Sequence, residues 1–154
     1  MPEPITQASH DLAVLIAELP AELSAIPEDQ AAKKRADGGW SRKQVLGHLI
    51  DSATVNHQRF VRAQVESGFS LLYEADRWVD LHQYQTTPWR ELITLWAALN
   101  RHILRVIEHI PADALGNLCG SGGENPWTLS YRVNDYVQHL KHHVGQIRDF
   151  EKKR

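Results

Sequence analysis

The chain has 154 residues, with 17 Lys+Arg against 19 Asp+Glu, one cysteine and a formal net charge of -2. That length fits one domain, residues 1–154, with a core large enough to stand without disulfides. The lone thiol excludes a disulfide framework and Cys-rich zinc modules and fits a reducing cytoplasm, and the charge balance argues against a phosphate-tracking nucleic-acid binder.

The opening Met1-Pro2-Glu3-Pro4 has no basic segment followed by an apolar run, so no secretory signal is expected. No window approaches the roughly 18 apolar residues of a membrane span. The first predicted helix runs from about Thr6 to Ile26, where Leu12, Leu15, Ile16, Leu19 and Leu23 recur at three-and-four spacing. Pro20 leaves its end open. The second follows Gly38-Gly39-Trp40, with Ser41 as N-cap and Gln44 completing a capping box, and continues to Gly68.

The third opens at Thr87-Pro88 and carries Leu92, Leu95, Trp96, Leu99, Ile103, Val106, Ile107 and Ile110 before Pro111 stops it. The fourth starts near Pro126-Trp127-Thr128 with Leu129, Val133, Val137, Leu140, Val144 and Ile147 on one stripe, and ends in Lys152, Lys153 and Arg154. Between the second and third helices, 69–86 holds Tyr73, Trp78 and Tyr84 and is expected to order over one end of the core. Between the third and fourth, 116–125 reads as a flexible glycine-rich loop around Cys119, a thiol with nothing nearby to activate it. No strand pattern competes. Four long helices in one small chain predict an all-α four-helix bundle.

Nine histidines stand out. On the fourth helix, at about 100° per residue from Leu140, His143 lies about 60° to one side and His139 about 100° to the same side, while His142 turns about 160° away. His139 and His143, at i and i+4, can offer two imidazoles to one ion. A pair at that spacing is also common as two polar residues flanking a core. A metal needs a third ligand, and His48 and His57 on the second helix lie about 180° apart, so only one of them can face the site. Asp51, Ser52 and Arg59 share the face of His48 and could hold ligand imidazoles by hydrogen bonds. The wheel leaves the choice between His48 and His57 open. His10, His82, His102 and His109 read as surface or satisfied polar residues.

Three segments carry a resemblance: Gly39-Trp40-Ser41 leading into Gly47-His48-Leu49-Ile50-Asp51-Ser52, Tyr73-Glu74 followed by Trp78, and His139 to His143 followed by Gly145-Gln146-Ile147. From about Ser9 to Phe150 the chain resembles the DinB superfamily and, within it, the YfiT-like metal-dependent hydrolases. The resemblance implies a four-helix bundle with one divalent metal held by His48, His139 and His143, and imidazole ligands suit zinc or nickel. Asn56 and Arg59 match an N-x-x-R element of such proteins. His57 and His142 are extra imidazoles beside the implied ligands.

The resemblance implies an enzyme in which the metal activates either water, for hydrolysis, or a low-molecular-weight thiol, for S-transfer. Asp51, Arg59, Tyr73 and Glu74 are the candidate catalytic residues. Arg59 is the candidate for holding a carboxylate of the thiol, Tyr73 and Glu74 are placed at the pocket mouth, and Asp51 is expected beside the ligands rather than among them. A small-molecule substrate, a cytoplasmic location and a homodimer complete the expectation. The alternative is a non-enzymatic bundle that binds metal or a small ligand under stress.

Overall fold

The computed structural model describes residues 3–122 and 125–151. The basic tail Lys152-Lys153-Arg154 expected at the end of the last helix lies outside them.

The first helix, α1 (Glu3–Ser24), buries Ile5, Ala8, Leu12, Leu15, Leu19 and Leu23 along one stripe. Pro20 does not end it: the apolar residues on either side, Leu19 and Leu23, are both in the core, and their burial outweighs the one missing backbone donor. A five-residue helix that the sequence did not suggest, α2 (Glu28–Ala32), follows Pro27 and buries Ala31.

The predicted second helix is α3 (Arg42–Val65). Its capping box is formed, with Gln44 N donating to Ser41 Oγ at 3.2 Å and Ser41 N donating to Gln44 Oε1 at 3.1 Å. Such a cap contributes about 1 kcal/mol and fixes the phase at which α3 starts. Gly47 lies inside α3 because the ring of Tyr84 presses on it: a Cβ there would stand 2.1 Å from Tyr84 Cδ2.

The segment after α3 is ordered, as expected. It forms β1 (Phe69–Ser70), α4 (Ala75–Leu81) and a 3-10 turn (Tyr84–Thr86). The predicted third helix is α5 (Trp89–Glu108), with Leu92, Trp96, Ile103 and Ile107 buried. Leu95, expected on its apolar stripe, is exposed.

The glycine-rich loop is not wholly a loop. Leu118–Gly120 form β2, which pairs parallel to β1 (Phe69 opposite Cys119) and antiparallel to β3 (Trp127–Thr128, Trp127 opposite Cys119). Backbone pairing orders Leu118–Gly120 within a stretch whose glycines suggest flexibility, and residues 123 and 124 of that stretch lie outside the described residues. The predicted fourth helix is α6 (Leu129–Arg148), capped by Thr128, whose Oγ1 accepts from Tyr131 N at 3.2 Å. Leu129, Val133, Val137, Leu140, Val144 and Ile147 are all buried.

The four long helices make a four-helix bundle. Both α1 and α3 pack against α5 and against α6, so α1 stands diagonally across from α3 and α5 from α6. This arrangement puts α3 and α6, distant in sequence, side by side.

Candidate metal centre

His48 comes from the second turn of α3, and His139 and His143 from α6. One ring nitrogen from each lies within 4.8 Å of the others. Nε2 of His48 and Nε2 of His139 are 3.1 Å apart, and the ring centroids are 5.0 Å (48 to 139), 4.6 Å (48 to 143) and 4.5 Å (139 to 143) apart. Trp40 covers the outer side, its ring 5.3 Å from that of His48.

Burial, reinforced by His143 and His139, pushes the His48 imidazole down to about 3. Burial, with His143 and His142 beside it, takes His139 down to about 4. Both rings are therefore neutral at pH 7 and can present lone pairs. Nδ1 of His48 is buried without a partner, so its ring has polar contact only on the cluster side. Nδ1 of His143 donates to Gln146 Oε1 at 2.7 Å, so that in the neutral ring the lone pair sits on Nε2. Converging neutral imidazoles are the donor set that a borderline divalent ion takes. Among the described residues no cysteine or carboxylate joins the three.

The other sequence candidates separate. His57 faces α5, its ring 4.9 Å from that of His102, and does not meet the triad. His142 is exposed and touches the centre only through His143 and Gln146. Asp51 does not hold a ligand imidazole, as its place on the face of His48 had suggested. Its carboxylate instead accepts from Tyr84 OH at 2.6 Å and lies 2.8 Å from His82 Nδ1. The reason is α4 and its turn, which bring Tyr84 and His82 onto that side of α3, so His82 is a satisfied polar residue. Burial raises the Asp51 carboxyl above the usual range, opposed by Tyr84 and His82.

Ser52 and Arg59 likewise bond elsewhere. Ser52 Oγ accepts from Asn56 Nδ2 at 3.2 Å, and Arg59 donates to Asn56 Oδ1 at 3.3 Å and to the Leu71 carbonyl at 2.5 Å. Tyr73 lines a cavity beside His139, together with Asn56 and Arg59. Glu74 does not line it; it is exposed at the start of α4. Cys119 is buried, and burial raises its thiol even though Arg132 and Arg59 pull it down. Sequence reasoning gave no role to Gln146 and did not single out Arg132. Helical spacing could have found both, since Gln146 is one turn beyond His143 and Arg132 two turns before His139.

Residues 11–147 match the DinB superfamily across nearly all of this helical frame. The chain belongs to the DinB superfamily. A Bacillus cereus (strain AH820) protein named "Putative metal-dependent hydrolase" is 24% identical over 97% of this chain and 90% of its own length. YfiT from Bacillus subtilis, described as a probable metal-dependent hydrolase with an unusual four-helix bundle topology, superposes with a TM-score of 0.79. It is 21% identical over 94% of this chain and 86% of that one. A single-substitution mutant of a mycothiol-dependent maleylpyruvate isomerase superposes with a TM-score of 0.75 at 11% identity, over 94% of this chain and 60% of its own.

Proposed function

We propose that His48, His139 and His143 hold one divalent metal ion, zinc or nickel, and that the protein is an enzyme that activates a low-molecular-weight thiol for transfer to an electrophile. The observation that carries this reading is the convergence of three imidazoles, those of His48 and His139 neutral, with ring nitrogens within 4.8 Å and no fourth His, Cys, Asp or Glu among the described residues to close the site. A divalent ion supplies Lewis acidity there, lowering the pKa of a coordinated thiol or water so that it is a nucleophile near neutral pH.

The residues around the triad have definable tasks. Gln146 fixes the tautomer of His143. Trp40 shields His48 from solvent. Tyr73, with its phenol raised by burial and therefore protonated at neutral pH, can donate to a ligand in the adjoining cavity. The mycothiol dependence named for the isomerase that shares this fold supports thiol over water. The names of the Bacillus relatives favour a second reading, in which water is the nucleophile and the reaction is hydrolysis.

The reading includes a reducing cytoplasm, supported by the single buried thiol, and a homodimer, supported by the exposed Leu95 face of α5. No described helix is long and apolar enough to cross a membrane.

The test is turnover of a panel of thiols and electrophiles by the metal-loaded protein. S-transfer that His143→Ala abolishes while helical circular dichroism persists supports the transferase. Metal-dependent turnover of esters or amides without any thiol shifts the assignment to hydrolysis. Metal binding with neither activity sinks both and leaves a non-enzymatic binding protein.

A further inference from the structure

Past His139 the cleft between α3 and α6 opens into a cavity of about 100 Å³ lined by Arg59, Asn56, Tyr73 and Asp135 among others. Arg59 is only 7% exposed, and its two terminal nitrogens are anchored on Asn56 and on the carbonyl of Leu71. A second guanidinium, that of Arg132, is also 7% exposed and donates from Nε to the carbonyl of Cys119 at 3.0 Å. The two anchor points are neighbours on the small sheet, since Leu71 N donates to the carbonyl of Gly120 at 3.2 Å.

Two cations are thus brought close together inside the fold. Among the described residues neither forms an ion pair with a carboxylate, and Nε of Arg59 is buried without any partner. Burying an unpaired charge costs free energy, and a second like charge adds to the cost. Burial, with Arg132 next in size, holds the Arg59 guanidinium below its ordinary pKa. Among the described residues Asp135 is the only carboxylate lining the cavity. Arg59 and Asp135 balance each other on the lining, and Arg132, which stands behind it, leaves the neighbourhood one positive charge in excess, which a monoanion balances and a phosphate dianion exceeds.

We propose that this cavity is the subsite for a carboxylate of the substrate or cosubstrate, held by Arg59 with Arg132 behind it. The planar guanidinium fork matches the two oxygens of a carboxylate, and the cavity volume suits a small aliphatic acid. Resting on the metal reading above, the assignment makes the ligand bifunctional: a carboxylate at one end, and at the other a group that reaches the triad. His48 and Arg59 are about 16 Å apart along the axis of α3, and their side chains converge on the same cleft, so several bonds separate the two groups.

The experiment uses metal-free protein at constant ionic strength, titrated with propionate, propionamide and inorganic phosphate and read by calorimetry and thermal shift. Propionate is expected to bind and raise the melting temperature, propionamide to do neither, and phosphate to bind more weakly than propionate. Arg59→Met is expected to weaken propionate about tenfold or more, and Arg132→Gln to weaken it in the same direction. Should Arg59→Met fail to fold by circular dichroism, the Arg132→Gln titration decides alone. Equal binding of acid and amide, preference for phosphate, or propionate affinity unchanged in the folded variants overturns the proposal. Because no metal is present, failure here leaves the metal reading standing, and His48→Ala, which removes a triad ring that does not line the cavity, leaves these titrations unchanged. With metal restored, 3-mercaptopropionate should bind more tightly than propionate.

Discussion

Gln146 accepts the Nδ1 proton of His143 at 2.7 Å through Oε1, while its amide nitrogen lies 3.4 Å from Nε2 of His142. The two contacts together set the amide's orientation and so the tautomer of His143. Gln146→Ala is expected to lower metal affinity about 10- to 100-fold without unfolding the bundle, measured by chelator competition. Unchanged affinity would mean that His143 needs no such support.

The histidines should divide sharply in an alanine series. Metal content by elemental analysis is expected to fall steeply for His48→Ala, His139→Ala and His143→Ala. His57→Ala and His142→Ala should keep one ion per chain, since His57 packs on His102 and His142 is exposed. Loss at His57 with retention at His48 would reverse the assignment.

Gly47→Ala is a steric test of how the α4 segment seats on α3. The added Cβ would meet Tyr84 Cδ2 at 2.1 Å and Cγ at 2.2 Å, and the buried ring has to move. Overpacking of this kind costs about 1–3 kcal/mol. A melting temperature equal to the parent's would show that Tyr84 can leave without cost.

Glu28 ties α2 to two other elements: it pairs with the buried Lys43 and accepts from Trp89 N at 2.9 Å. The Lys43 contact, as the largest cause, holds its carboxyl below the ordinary 4.5. A depressed acid stabilises the fold above its unfolded pKa and loses that contribution as pH falls through the folded value. Glu28→Gln should therefore cost up to about 1 kcal/mol at pH 7, since the carboxylate is half exposed, and the difference from the parent should shrink as pH falls below 4.5 and the carboxylate takes up its proton. A difference that stays constant as the pH is taken from 7 down through the carboxyl's titration would remove the ion pair as its cause.

The regular part of the fold was legible because periodicity reports burial directly. The stripe from Leu129 to Ile147 is buried as read, and the capping box at Ser41 and Gln44 closes in both directions. The i,i+4 pair His139 and His143 was likewise readable from one helix alone. The partner from α3 was not: His48 and His57 look alike on a wheel, and only the packing of α3 against both α5 and α6 sends one to each neighbour. Asp51 shows the same limit, because Tyr84 and His82 reach it from a segment whose path depends on the whole bundle. The strand at Leu118–Gly120 escaped notice because three residues pairing across long sequence gaps leave no alternation to see.

That short sheet acts as a yoke. It clamps the exit of α3 to the approach of α6, through Phe69 opposite Cys119 and Cys119 opposite Trp127, and so sets the relative height of the two helices that carry the imidazoles. The connection between its second and third strands leaves after Gly120 and returns at Trp127. Lengthening or shortening that connection should therefore reshape the rim without sliding one helix past the other, giving evolution a place to change what enters while the three rings keep their spacing.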